Sequence, residues 1–295
     1  MSDAKGEDQA RAEVQQYWNT HPISTDSVPF EKGSAESFEA IYERWERDLD
    51  ERRASFAREI AGKRLLEVGC GIGIDGRYLS ENGVVYQAVD FSRESLKLAR
   101  KHFGMKSLPQ RFVNGDGRTL PFADETFDVF FSSGVLHHIP AMERACAEAV
   151  RVLKPGGRAR VMLYHRHSYH YLLVHYIVRP LIWTLLKLPF GIGGTIARGL
   201  PSKFRDTYEI CERHGFSADT ILYASTDTST AGDANWNPLS YFVTRADVRR
   251  MFAGLDDFEF HTTDLKYFPI PIPAVRRFVE GRWGFFLQID ARKPE

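Results

Sequence analysis

Residues 65–73 read Leu-Leu-Glu-Val-Gly-Cys-Gly-Ile-Gly, and an apolar run from Val84 closes on Asp90. A strand that runs into glycines, a helix after them and a second strand ending on a carboxylate leave few folds open. Glycines at such a turn let a ligand approach the backbone where a side chain would block it. The helix beyond them offers unpaired N–H groups. A carboxylate at the tip of the next strand is placed to accept hydrogen bonds from a ribose. The layout predicts a nucleoside-containing cofactor at the carboxyl edge of a parallel sheet.

Two cofactor classes use this layout. Gly71, Gly73 and Gly76 satisfy the dinucleotide pattern G-x-G-x-x-G. Gly69, Gly71 and Gly73 instead give G-x-G-x-G, preceded by Glu67 in the strand. In this second reading the chain resembles the class I S-adenosylmethionine (SAM) dependent methyltransferases of small-molecule type. Four further segments carry the resemblance: Asn-Gly-Asp-Gly at 114–117, the run from Leu120 to Phe131, Ser-Ser-Gly-Val-Leu-His-His-Ile at 132–139 and Arg-Val-Leu-Lys-Pro-Gly-Gly-Arg at 151–158. Together they cover about residues 60–165.

The resemblance implies an α/β fold, a Rossmann-like seven-stranded, mostly parallel sheet with helices on both faces, its last strand antiparallel between its neighbours. Alternating strands and helices from Arg64 to Leu163 agree. Residues 1–60 read as an N-terminal helical cap, with a helix over 10–18 ended near Pro22 and one charged helix over 36–60. Residues 61–165 are the SAM-binding core. Residues 166–243 are a helical lid inserted after strand five. Residues 244–295 complete the core sheet, with strands over 258–264 and 283–290.

By resemblance Gly69, Gly71 and Gly73 line the methionine part of SAM, and Glu67 meets its amino group. Asp90 takes the ribose hydroxyls, with Phe91 beside the adenine. Asp116 and Gly117 meet the adenine amino edge, although Asn-Gly-Asp-Gly is also strong turn chemistry. Ser133 touches the cofactor through its backbone. In many family members an N-terminal helix closes over SAM, and Tyr17 and Trp18 suit that covering: Tyr17 toward the cofactor, Trp18 toward the acceptor. Packing of the extension onto the sheet explains them equally simply.

A methyl on a sulfonium is already electrophilic, so positioning and exclusion of water carry most of the catalysis, and a base is needed only for a protonated acceptor. His165 and His137 are the candidate bases, both following strands whose ends point at the cofactor. Packing or hydrogen bonding competes as the role of each. His138, His167, Tyr171, Asp233 and Trp236 are candidate acceptor contacts. The histidines at 165, 167 and 170 lack a Cys, Asp or Glu nearby, and no metal is expected.

Residues 169–188 are strongly apolar and aromatic, with Arg179-Pro180 making them a poor membrane span. Such a stretch fits a lid, a pocket for a greasy acceptor, or a membrane-surface contact through residues 169–203. The expected acceptor is a small hydrophobic molecule of quinone, polyketide, terpenoid or lipid type, methylated on O, N or C. A protein or RNA substrate is the alternative within the family, and an NAD-dependent oxidoreductase the alternative outside it. Lys plus Arg and Asp plus Glu both number 39, so no global attraction to nucleic acid is expected. Three scattered cysteines and a polar N-terminus without a signal-peptide core fit a cytoplasmic chain, monomeric or homodimeric.

Overall fold

The computed structural model describes residues 2–189, 192–224, 226, 237–265 and 271–295. The chain forms two compact units. The first holds Met1–Leu163, Arg245–Phe260 and Gln288–Glu295; the second holds Tyr164–Thr244 and His261–Leu287. Residues 261–287 therefore group with the inserted region rather than with the core to which the sequence reading gave them.

The first unit opens with α1 (Ser2–Thr20), longer than the expected helix and ended just before Pro22. The charged helix expected over 36–60 is two helices, α2 (Ala35–Arg47) and α3 (Glu51–Glu59). The reason is local: the Asp50 carboxylate accepts the Arg53 N–H at 2.8 Å and caps a new helix in mid-stretch. Ser34 caps α2 in the same way, accepting from Ser37 at 3.0 Å.

Strands and helices then alternate: β1 (Arg64–Val68), α4 (Ile74–Glu81), β2 (Val85–Asp90), α5 (Arg93–Met105), β3 (Phe112–Asn114), β4 (Phe127–Ser133), α6 (Met142–Val152) and β5 (Leu153–His165). Later come β6 (Phe242–Val243), β7 (Asp256–Thr263) and β8 (Phe286–Arg292). The sheet order is β3-β2-β1-β4-β5-β8-β7, with β6 paired to β5. The pairs β1·β2, β2·β3, β1·β4 and β4·β5 are all parallel. Among the described residues eight strands thus stand where seven were expected, the addition being the two-residue β6 beside Tyr164 and His165. Along β5, Gly157 bonds Lys293 and His165 bonds Phe285, so partner numbers fall as its own rise and β8 runs antiparallel.

Strand β8 starts later than its expected position. Trp283 closes a helix, Pro273–Trp283, and Gly284 follows in a spot where a Cβ would lie 2.6 Å from the Thr263 nitrogen. Behind β1 and β2 the core gathers Leu65, Leu79, Tyr86, Ala99, Phe103 and Phe112. Helix α1 packs against α5, and α2 against α4 and α5.

The second unit is mainly helical. The stretch expected to be helical contains Tyr169–Leu173, a π-helical turn at Val174–Val178, then Arg179–Leu186 and Ile192–Arg198. The wide π turn ends beside Pro180, which has no N–H to give an α-helical ladder. Val174, Ile182, Leu185, Tyr208, Cys211 and Ile221 form this unit's own core. Among the described residues no helix is long and apolar enough to cross a membrane.

Candidate functional site

Buried Leu65, Leu66 and Val68 fix β1 in the sheet, and the chain leaves it through glycines with left-handed backbones: Gly69 at φ +80°, Gly71 at +53° and Gly73 at +79°. The Gly71 N–H donates to Asp90 Oδ2 at 2.8 Å, and the Ser92 N–H to Oδ1 at 2.7 Å. Asp90, at the end of β2, thereby holds the glycine turn closed. Opposite it the chain leaving β4 runs through Val135 to Pro140. Between these lies a cavity of about 380 Å³, whose lining residues all fall between Arg11 and Pro140.

Of the residues singled out in the sequence, Glu67, Gly69, Gly71, Asp90, Phe91, Asp116, Gly117 and Ser133 line the cavity, as do Trp18 and His138. Gly73 and Tyr17 do not. Gly73 has its open side toward Phe103, 2.8 Å from where a Cβ would sit, so its glycine serves packing. The Tyr17 ring meets the edge of Trp18, with centroids 5.0 Å apart, and lies 4.9 Å from His21. His137 is wholly buried; it is its neighbour His138 that reaches the cavity wall, its ring 5.7 Å from that of Trp18. His165, His167 and Tyr171 belong to the second unit, where His165 is buried with Nδ1 3.3 Å from the Gly284 carbonyl. Asp233 and Trp236 lie outside the described residues.

Several lining residues had no assignment from sequence: Arg11, Ile23, Ile41, Trp45, Asp75 and Arg118. Ile41 and Trp45 fall on helical spacing, which reads the same for a packed face and for a cavity wall. Asp75 follows the last glycine by two positions, in the first turn of α4, and that acid was the available signal. Arg11 of α1 donates to Asp116 Oδ2 at 2.9 Å and lies over the Phe91 ring, 5.0 Å from its centroid. The cap is therefore tied to the cavity rim by charge as well as by its aromatics.

The inner wall is acidic. Burial, reinforced by the charge of Asp75, pushes the Glu67 carboxyl well above its ordinary range, although the Tyr86 hydroxyl donates to it. Burial likewise raises Asp75, against the charge of Arg53 and a hydrogen bond from Trp45. Burial raises Asp90 to about 6, opposed by the N–H groups of Ser92, Gly71 and Phe91. Asp116 differs: burial works to raise it, but hydrogen bonds and charge from Arg118, with Arg11, hold it below the usual carboxylate range. Three carboxyls whose ionisation burial opposes line one cavity, and a cation placed beside them would favour their charged forms. Among the described residues no group of three or more His, Cys, Asp or Glu is placed to hold a metal ion.

Residues 66–161 match the family model described as a methyltransferase domain. That stretch supplies the glycine turn, Asp90 and the β4 edge of the cavity, and it is similar to a methyltransferase domain. Curated relatives match the same region: a phthiotriol/phenolphthiotriol dimycocerosates methyltransferase of Mycobacterium ulcerans is 42% identical over 101 residues, 34% of this chain and 36% of that one. A fatty-acid O-methyltransferase of Mycolicibacterium smegmatis is 35% identical over 101 residues, 34% of this chain and 36% of its own length. The chain thus spans about a third of the length of the curated relatives it matches. A chain from a Haloferax volcanii complex of a methyltransferase activator with a methyltransferase has the same fold, at TM-score 0.52 and 17% identity, over 92% of this chain and 98% of that one. A protein of Pyrococcus horikoshii OT3 does so at TM-score 0.50 and 16% identity, over 95% and 99%.

The raised Asp90 carboxyl gives this domain a pH dependence with a defined sign. Its native value, about 6, exceeds its ordinary 3.8, so the folded state keeps this proton longer than the unfolded one. Asp90 contributes stability that is greatest below the unfolded value and falls as pH rises to about 6. Binding of a ribose to an ionised carboxylate runs the other way. The affinity for S-adenosylhomocysteine is expected to weaken as pH falls below about 6, by up to about tenfold per pH unit. Calorimetric titration between pH 5 and 8 measures this, and a flat profile rules out Asp90 as the ribose acceptor.

Proposed function

We propose that this chain is a SAM-dependent methyltransferase acting on a small hydrophobic molecule of lipid or polyketide type. The observation that carries the reading is the set Glu67, Asp75 and Asp90, buried around a cavity that opens beside a left-handed glycine turn. SAM brings an ammonium and a sulfonium, which such a wall attracts. The pyrophosphate of NAD brings negative charge that would hold the same carboxyls back from ionising, and Asp75 already occupies the first turn of α4 where a phosphate would dock.

Bound SAM supplies an electrophilic methyl group. In our reading Asp90 accepts from the ribose hydroxyls, Glu67 from the amino group, and Asp116 with Gly117 meets the adenine edge beside Phe91. Ser133 contributes its backbone. Trp18 closes the cavity from α1 and keeps water out. Val14, Ile23, Ile41, Ile72 and Trp45 give the cavity apolar walls suited to a greasy acceptor. The printed names of two relatives, a dimycocerosates methyltransferase and a fatty-acid O-methyltransferase, support the lipid class.

We assign proton removal from a hydroxyl or acidic carbon to His138, because it reaches the cavity wall while His137 faces the core. The test is transfer of labelled methyl from SAM to hydroxylated long-chain acceptors. His138→Ala is expected to lower turnover by roughly 10²–10⁴ with unchanged S-adenosylhomocysteine affinity. Full turnover in that variant across pH removes the base. Thermal stabilisation by NAD but not by SAM overturns the whole reading.

A further inference from the structure

The second unit carries a surface that the methyl-transfer reading does not use. Between Tyr164 and Arg205 the sequence contains no Asp or Glu, although the chain as a whole is neutral. The helical stretch from Tyr169 to Leu186 buries one row, Val174, Val178, Ile182 and Leu185, in this unit's core. Its opposite row is also apolar and faces outward: Leu172, Tyr176, Ile177, Leu181 and Trp183, with Tyr176 68% exposed, Ile177 58% and Trp183 46%. A helix apolar all round normally lies inside a protein or in contact with lipid. Large exposed apolar patches mark interaction sites. Cations border the row. The Lys187 ammonium sits over the Trp183 ring, 3.6 Å from its centroid, and Arg198 is exposed on the next helix, beyond exposed Ile192 and Ile196.

A second helix of this unit repeats the pattern. Pro273–Trp283 buries no side chain, exposes Phe278 at 69% and Val275 at 45%, and carries Arg276, Arg277 and Arg282 against one acid, Glu280. That acid is engaged, accepting the Asp264 N–H at 2.7 Å.

We propose that these helices rest on an anionic lipid surface, their apolar rows entering the headgroup boundary and their lysine and arginines meeting lipid phosphates. Charge complementarity selects this occupant. A patch with exposed aromatics and cations, whose one acid, Glu280, is already engaged by the Asp264 N–H, lacks the opposite charges that a second copy would need to satisfy it, whereas an anionic bilayer supplies them. No described helix is both long and apolar enough to cross a membrane, and the proposed contact is peripheral.

The test is co-sedimentation of the full chain with vesicles of phosphatidylglycerol and phosphatidylcholine, against phosphatidylcholine alone, at low and high salt. Binding is expected with the anionic vesicles, weakened at high salt. Two variants separate the contributions: Tyr176→Ser/Ile177→Ser/Trp183→Ser removes exposed apolar surface, and Lys187→Glu/Arg198→Glu reverses two exposed charges. Each is expected to reduce vesicle affinity about tenfold or more while keeping the wild-type melting temperature and S-adenosylhomocysteine affinity. Because Lys187 and Arg198 are both exposed and outside this unit's core, the charge variant tests the idea even where the apolar variant unfolds. Three results overturn the proposal: no binding of wild type to anionic vesicles, charge-reversed protein that binds as wild type does, or a wild-type dimer in sedimentation equilibrium that these substitutions dissociate without any vesicle binding.

Discussion

Replacing Asp90 by alanine is expected to weaken S-adenosylhomocysteine binding about a hundredfold, roughly 3 kcal/mol. Two losses combine. The proposed ribose contact loses its charge-assisted acceptor. The glycine turn loses its tether, because the Gly71 and Ser92 N–H groups, at 2.8 and 2.7 Å, then face no oxygen. Asp90→Asn sharpens the experiment. It keeps the size of the side chain but offers one oxygen where two donors converge, so one N–H must face an amide NH₂. Its affinity should fall between those of wild type and Asp90→Ala. Calorimetry at pH 8, well above the raised Asp90 value, keeps the wild-type carboxylate ionised. Equal affinities in wild type and Asp90→Ala would falsify the ribose assignment.

Gly69→Ala is expected to be the most damaging single methyl group in the site. Its backbone sits at φ +80°, which costs an L-residue about 1–2 kcal/mol. A Cβ there would also stand 2.3 Å from both methyls of Val135, a cavity-lining residue. Relief requires Val135 or the turn to move, so stability and ligand binding should fall together, stability by about 3 kcal/mol in all. Gly62→Ala is the internal reference. Gly62 has nearly the same backbone, φ +77°, with nothing within 4 Å of the added carbon. Urea unfolding of both variants separates strain from collision. If Gly69→Ala is no less stable than Gly62→Ala, the close approach of Val135 is not a constraint on the fold.

The sheet and its cofactor edge were legible because their signals are local. Glu67, the glycines and Asp90 lie within one strand–turn–helix–strand unit, where spacing dictates place. The same sequence allowed two glycine patterns, and the choice between them lay in tertiary contacts. A Cβ at Gly76 would be 2.3 Å from the Tyr86 ring, whose hydroxyl donates to Glu67. The glycine that completes the dinucleotide pattern is thus explained by packing, with no phosphate involved. The two adjacent histidines show the opposite difficulty. They share a 3₁₀ turn, Leu136–His138, and only the rotation of that turn decides that His138 faces the cavity while His137 faces the core. Trp45 and Ile41 were hidden for a third reason: an apolar row on a helix carries no mark of whether it meets protein or ligand. The break at Asp50 was missed because the helical spacing on either side of it is continuous enough to mask a capping residue.

The position of β8 has a consequence for how this protein is made. Strand β5 is finished at His165, yet the strand that pairs with its outer side, β8, lies far downstream, with bonds between Gly157 and Lys293 and between His165 and Phe285. While the ribosome synthesises everything between them, a long flank of β5 has its N–H and C=O groups unmatched. Open flanks of that kind recruit strands from neighbouring chains. The nascent protein therefore passes through an interval in which its most conspicuous hazard is self-association, and that interval closes only once β8 has cleared the exit tunnel.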